Sequence, residues 1–513
     1  MTTENPTPET MTSLWRMTGP RIETDDWRDG RADTVVVGAG LTGLVTAVLL
    51  ARAGRKVVVL EARTVGAVTT GGTTGKLSLL QGTVLSDIRA HDGDDVLRDY
   101  VAANREGQAW LLREHEHWGI DVPRRRAIVY AADPSAVDAL DEERSAALAA
   151  GLELGTTRSP DLPFETHGVL TLDGQAQLHP LTMLAAFARE LRERGGRIVE
   201  HQRVRDVDVD SHEVVVSADG GMLAAENCVL ATGTPILDRG MYFAKIEPSR
   251  SYAAAYRVAP GTAPSDMCVS VGDPPRSLRT ATGPSGEEVL VVGGGGHVTG
   301  RSTDTAAEVA ELDAWVREHF SVRERVALWA AQDYRSHSRL PFAGEMPWGR
   351  GRVHLATGYN KWGMTNGVAA ALAITAEMLG GRMDWARAYH HDTIGLRTVA
   401  DTLEVNIGAG LHAVGGRAAA ALQPESPEPL GEGEGRVRYG GGRPVAVSRV
   451  NGELCAVSGV CTHLGGVLNW NRAERSWDCP LHGSRFTATG ARLEGPAIAD
   501  LEWRPLPDAE GGE

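Results

Sequence analysis

Residues 33–63 read DTVVVGAGLTGLVTAVLLARAGRKVVVLEAR: an apolar strand, a glycine turn, a helix and a second apolar strand ending on an acid. That order opens a buried parallel βαβ unit. Gly38-x-Gly40-x-x-Gly43 sits between strand and helix, and Glu61 stands 23 residues after Gly38. Gly38 permits the tight turn, Gly40 lets backbone approach a pyrophosphate, and Gly43 lets helix and strand pack closely. Free N–H groups at the helix start attract the anion. Glu61 suits a ribose diol. A dinucleotide cradle is expected, with nicotinamide and flavin cofactors both open at this point.

Outward from this segment, 513 residues allow about three to four folding units. Lys and Arg number 52 against 67 Asp and Glu, a net charge of −15. Such a balance repels nucleic acid and anionic membranes, and the longest basic run is Arg124-Arg125-Arg126. Neither is expected as a partner. Five scattered cysteines are too few for a secreted disulfide framework. The opening MTTENPTPETMTSLWRM lacks the basic and apolar regions of a signal, and no apolar run approaches about 18 residues. A soluble, cytoplasmic protein is expected.

Four regions are expected: a lead-in over 1–31, interleaved domains over 32–412, a linker over 413–429 and a last module over 430–513. LTMLAAFARELRERGGRIVE reads as helix, glycine stop and strand, and VVVSADGGMLAAENCVLATGT as a hairpin with a buried strand. Short strand-like runs between Tyr242 and Gly300 predict a mostly antiparallel second layer. Beyond the linker, alternating runs meet at Asn451-Gly452, a hairpin signal.

That last module contains Cys461-x-His463, fifteen intervening residues, and Cys479-x-x-His482. Two thiolates and two imidazoles suit either tetrahedral zinc or a Rieske [2Fe–2S] cluster. Zinc modules usually begin with paired cysteines, whereas each short loop here supplies one Cys and one His before continuing into Gly465-Gly466 or Gly483.

Thr73-Thr74-Gly75-Lys76, ATGT at 231–234 and GYNKWGMTNG at 358–367 join the first glycine segment in resembling the D-amino-acid-oxidase-like FAD oxidoreductases. Residues 430–506 resemble a Rieske domain, including GPA at 495–497. The combination resembles bacterial FAD oxidoreductases carrying a C-terminal Rieske domain. The resemblance implies an α/β + β fold: a Rossmann-type FAD-binding domain, an interleaved antiparallel substrate domain and a small all-β Rieske domain.

By that likeness FAD would be held by Gly38, Gly40, Leu41, Thr42, Gly43, Glu61, Ala62, Arg63, and Thr73 to Lys76. Val204, Thr232, Gly233, Gly358, Gly363, Met364 and Thr365 would complete its site. Amides at Gly363–Thr365 suit the negative charge of a reduced flavin. Cys461 and Cys479 would bind one iron of a [2Fe–2S] cluster, and His463 and His482 the other. Gly466 and Leu481 occupy the positions where respiratory relatives carry a disulfide. Ser484 keeps a hydroxyl toward a sulfur, and Phe486 stands in place of a tyrosine, so a lower potential is expected. Cys228, Cys268 and Cys455 are expected to be structural, with FAD bound without a covalent link.

Together the cofactors imply oxidation of a small amine, amino acid or hydroxy acid by hydride transfer to flavin, with single electrons leaving for a soluble acceptor protein. Lys361, Tyr252 and His337 are the candidate catalytic residues. Arg250, Tyr252, Tyr256 and Arg257 form a candidate carboxylate clamp. Two other readings are an NAD(P)H-driven component feeding an oxygenase and a non-catalytic redox sensor.

Overall fold

The computed structural model describes residues 11–157, 160–389, 430–440 and 443–506, so the expected 413–429 linker lies outside the described residues. The first sheet runs in the order Phe342–Glu345, Val353–Thr357, Gly221–Gly233, Gly30–Val37, Val57–Leu60, Arg197–Val199. Its central pairs are parallel, with Val36 beside both Val59 and Val229. Val57–Leu60 is buried throughout, as a strand covered on both faces must be. Helices Leu41–Arg52 and Gly363–Met378 are apolar nearly all round because they are enclosed by their neighbours. Val36, Leu44, Val59, Phe187 and Val368 share the largest apolar core.

The second sheet has nine strands, among them Val322–Ser336, Ile246–Val258, Glu288–Val298, Ser277–Thr282 and Lys76–Leu77. It is antiparallel except where Met267–Val271 runs parallel to Arg124–Ala131. The expected two-layer Rossmann-plus-substrate architecture is present. The polar lead-in is woven into it: Leu14 and Trp15 are buried, and the Trp15 indole donates to the Thr73 carbonyl at 2.6 Å.

Near the C-terminus, Gly435–Gly440, Arg443–Val450 and Glu453–Ser458 form one antiparallel sheet, and four short strands from Asn469 to Glu494 form another. Asn451 and Gly452 both take positive φ, the geometry of the two-residue hairpin turn their sequence predicts. Trp477 and Phe486 fill the core beneath the cysteine loops. Among the described residues, no helix is long and apolar enough to cross a membrane.

Candidate flavin cavity and cluster site

One cavity of about 600 Å³ runs between the two sheets. At one end lie Gly38, Gly40, Leu41, Thr42, Glu61, Ala62, Arg63 and Val204. A Cβ on Gly43 would stand 2.0 Å from the Gly38 carbonyl oxygen, so only glycine lets the helix seat on its turn. The Glu61 carboxylate accepts from the amides of Ala39 and Arg63, both at 2.9 Å, and burial pushes its pKa upward. Gly40 caps its helix without a side chain. The site therefore combines a helix N-terminus, its Leu41 amide donating to Thr70 Oγ1 at 3.1 Å, with an anchored acid, which fits a dinucleotide.

Thr73, Thr74, Lys76, Thr232, Gly233, Gly358, Gly363 and Met364 line the remainder with Lys361 and Tyr252. Gly43, Gly75 and Thr365 stand behind the wall; the Thr365 hydroxyl meets the side-chain amide of Gln81, which does line it. Lys361 and Asn360 adopt left-handed backbone, held by Asn360 bonds to the carbonyls of Arg339 (2.6 Å) and Gly358 (3.3 Å). The Lys361 amide donates to Asp333. Burial raises the Asp333 carboxyl to about 6 and lowers the Lys361 ammonium, each shift opposed by the partner.

His337 lies off the cavity wall, its Nε2 3.3 Å from the Ala244 carbonyl. The same segment instead brings Asp333, Tyr334, Arg335 and Arg339 to the wall. His337 is the candidate base of the sequence, but the turn after Ser336 carries it aside. The expected clamp is also dispersed. Arg250 binds Glu474 through both carboxylate oxygens and Glu494 at 3.2 Å. Tyr256 donates to Asp313 at 2.7 Å, and Arg257 pairs with Glu287 and Glu324. Carboxylates from distant segments hold Arg250, Tyr256 and Arg257 off the cavity wall; Tyr252 lines it, with its hydroxyl 3.5 Å from Asn471 of the last module.

In the last module Cys461 and Cys479 are buried free thiols. The Cys479 contact pulls the Cys461 thiol down to about 7 against burial, and Cys479 rises in turn. The His463 and His482 rings lie 5.2 Å apart, and Phe243 packs edge-on against both at 4.9 Å. His482 Nδ1 is buried with no hydrogen-bond partner, and burial lowers its pKa to about 4, leaving a neutral donor atom for a metal. Among the described residues no three His, Cys, Asp or Glu groups converge on one point. A thiol pair and an imidazole pair fit two irons better than one tetrahedral zinc. A Cβ on Gly466 would lie 3.0 Å from Cys479 Sγ, so backbone approaches the sulfur closely here.

Cavity and cluster site share a wall, which local motifs did not reveal. Arg492, Leu493, Glu494, Gly495 and Ala497 line the cavity. The Ala497 amide donates to Ser484 Oγ at 3.0 Å, and the Ser484 carbonyl accepts from the Cys479 amide at 2.8 Å. Gln332 donates to the Gly483 carbonyl and to the Tyr334 hydroxyl, both at 3.0 Å. His463 Nε2 lies 3.2 Å from Asp238.

A Rossmann-type cradle facing a curled second sheet, with a paired-thiol, paired-imidazole site beside it, defines a flavoprotein oxidoreductase joined to an iron–sulfur carrier. The chain belongs to the FAD dependent oxidoreductase family, matched over residues 33–377, and residues 425–505 match the Rieske [2Fe-2S] domain. It is 29% identical over 483 residues to YhfW of Bacillus subtilis (strain 168), named as a Rieske 2Fe-2S iron-sulfur protein, covering 92% of this chain and 93% of that one. Among solved structures, glycine oxidase from Geobacillus kaustophilus superposes with a TM-score of 0.59 at 18% identity, covering 71% of this chain and 100% of that one. L-proline dehydrogenase from P. horikoshii gives 0.57 at 15%, over 71% and 97%. These two share the fold of the first domains.

Proposed function

We propose that the chain oxidises a small amino acid or amine in this cavity and passes the electrons through its own cluster site to a soluble acceptor in the cytoplasm. The shared wall carries this reading: Ala497 lines the cavity, and its amide bonds Ser484, whose own carbonyl accepts from the Cys479 amide at 2.8 Å. A flavin supplies two-electron hydride chemistry and a [2Fe–2S] cluster supplies one-electron transfer. The fold shared with proteins named glycine oxidase and L-proline dehydrogenase supports a C–N substrate.

The chain's residues have distinct roles in this reading. Gly38–Gly43 and Glu61 hold the dinucleotide. The helix start at Gly363-Met364 presents amides to charge that develops in the cavity. Asp333, ionised at neutral pH and set against the Lys361 amide, is positioned to accept a proton from an amine. Cys461, Cys479, His463 and His482 hold the cluster.

Anaerobic mixing with amino acids, secondary amines, hydroxy acids, NADH and NADPH tests the proposal. Bleaching of the flavin band by an amino acid or amine, followed by appearance of the reduced-cluster electron paramagnetic resonance signal, is expected. Rapid bleaching by NADH or NADPH would favour the electron-transfer component instead, and bleaching by none the redox sensor.

A further inference from the structure

Lys76 begins the short strand Lys76–Leu77, which pairs with Gly168–Gln177 in the second sheet. Its side chain thus belongs to the sheet facing the dinucleotide cradle, and not to the glycine turn that cradles a pyrophosphate. It lines the cavity, is 6% exposed, and its Nζ is hydrogen-bonded to Ser277 Oγ. Ser277 lines the same wall.

No salt bridge to Lys76 occurs among the described residues. Its charged neighbour is a second cation, Arg279, whose guanidinium donates to the carbonyls of Thr74, Gly75 and Leu178. The other ionisable neighbour, Cys268, is a thiol that burial pushes up to about 12, so it is neutral. Burial and Arg279 lower the Lys76 ammonium to about 7. Lys361 differs, because Asp333 faces it. Arg276, the residue before Ser277, is directed elsewhere: its guanidinium meets Glu311 and lies 5.3 Å over the Trp315 ring, both on the helix Thr305–His319.

A buried charge is kept only where something of opposite sign meets it. Lys76 lacks that group within the chain, and its free side is the cavity. Across from it Gly293 presents no side chain, packing at 3.4 Å from Ser277 Cβ and 3.7 Å from Thr74 Cγ2 at its would-be Cβ. Lys76, Ser277 and Gly293 line the same cavity of about 600 Å³.

We propose that Lys76 and Ser277 form the subsite that takes the carboxylate of the substrate. The molecule oxidised is then an amino acid and not a simple amine, and its anionic end is read on the second sheet and not at Lys361. This inference rests on the reading of the cavity as an oxidation site.

The FAD- and cluster-loaded protein is titrated with acetate and propionate, and with their neutral amides, while the flavin visible spectrum reports binding. Carboxylate affinity in the native chain is expected to fall as pH rises above about 7, while amide affinity stays level. Lys76→Met is expected to weaken carboxylate binding at least about tenfold, leave amide binding unchanged and keep both cofactors; Lys76→Arg restores the carboxylate. Equal carboxylate affinity in Lys76→Met, or a pH-independent native affinity, overturns the subsite. Loss of FAD from Lys76→Met with the cluster retained overturns it as well, assigning the cation to the cofactor. If the native protein binds carboxylates at Lys76 but no amino acid bleaches the flavin, the oxidation reading fails while the subsite stands.

Discussion

Arg250 on the second sheet and Glu494 on the last strand of the cluster module lie 3.2 Å apart, both buried, in a network with Glu474, Asp478 and Arg485. Two guanidinium groups meet three carboxylates there. The network joins the modules as one body and sets Glu494 and Gly495 against the flavin cavity.

Removing Arg250 leaves Glu474 and Glu494 facing Arg485 alone. Arg250→Met is expected to cost about 3–5 kcal/mol, the scale for breaking a buried pair from one side. Denaturant unfolding followed through cluster circular dichroism measures it. The double variant Arg250→Met/Glu474→Met should recover part of the loss, since of the two carboxylates that met Arg250 only Glu494 then remains, and it keeps Arg485.

Acid should loosen the same junction. Burial raises the Glu474 carboxyl, but Arg250 and Arg485 more than offset it and hold it at about 2, below its ordinary 4.5. A depressed folded value means stability present above about 4.5 and lost as pH falls toward 2. An acid titration of the cluster's visible circular dichroism checks the window, and Arg250→Met should shift the loss to higher pH.

Ser484 is fully buried, accepts from the Ala497 amide, and helps hold the Cys461 thiol pKa down. Ser484→Ala removes a donor to sulfur and should lower the cluster potential by roughly 60 mV, the one-electron equivalent of ~1.4 kcal/mol. The native potential should itself lie below the respiratory range, because Phe486 supplies no hydroxyl. Redox titration by electron paramagnetic resonance reads both.

Gly43→Val places carbon atoms where the Gly38 carbonyl stands. The expected product retains the cluster and lacks FAD, measured as flavin released per iron. No cysteine lines the cavity among the described residues, so native FAD should be released intact by acid precipitation.

Legibility followed chain distance. Gly38 to Glu61 and Cys461 to His482 were readable because each set sits in a short contiguous run with a fixed local geometry. Arg250 was misassigned because its partner Glu474 lies 224 residues away. Asp333 and Tyr334 were passed over for His337 because strand and turn geometry, absent from composition, decides which neighbour reaches the cavity.

By itself the sequence determined the dinucleotide cradle, the two Cys/His loops of the Rieske domain and the order of flavin and Rieske domains, since glycine sterics, ligand chemistry and strand periodicity act within a few residues. Tertiary structure alone decided that the cluster module walls the flavin cavity, that Arg250 is an interdomain tie and that Lys76 faces the cavity without a counter-charge. Those are properties of burial and of long-range charge pairing, which exist only once distant segments are brought into contact.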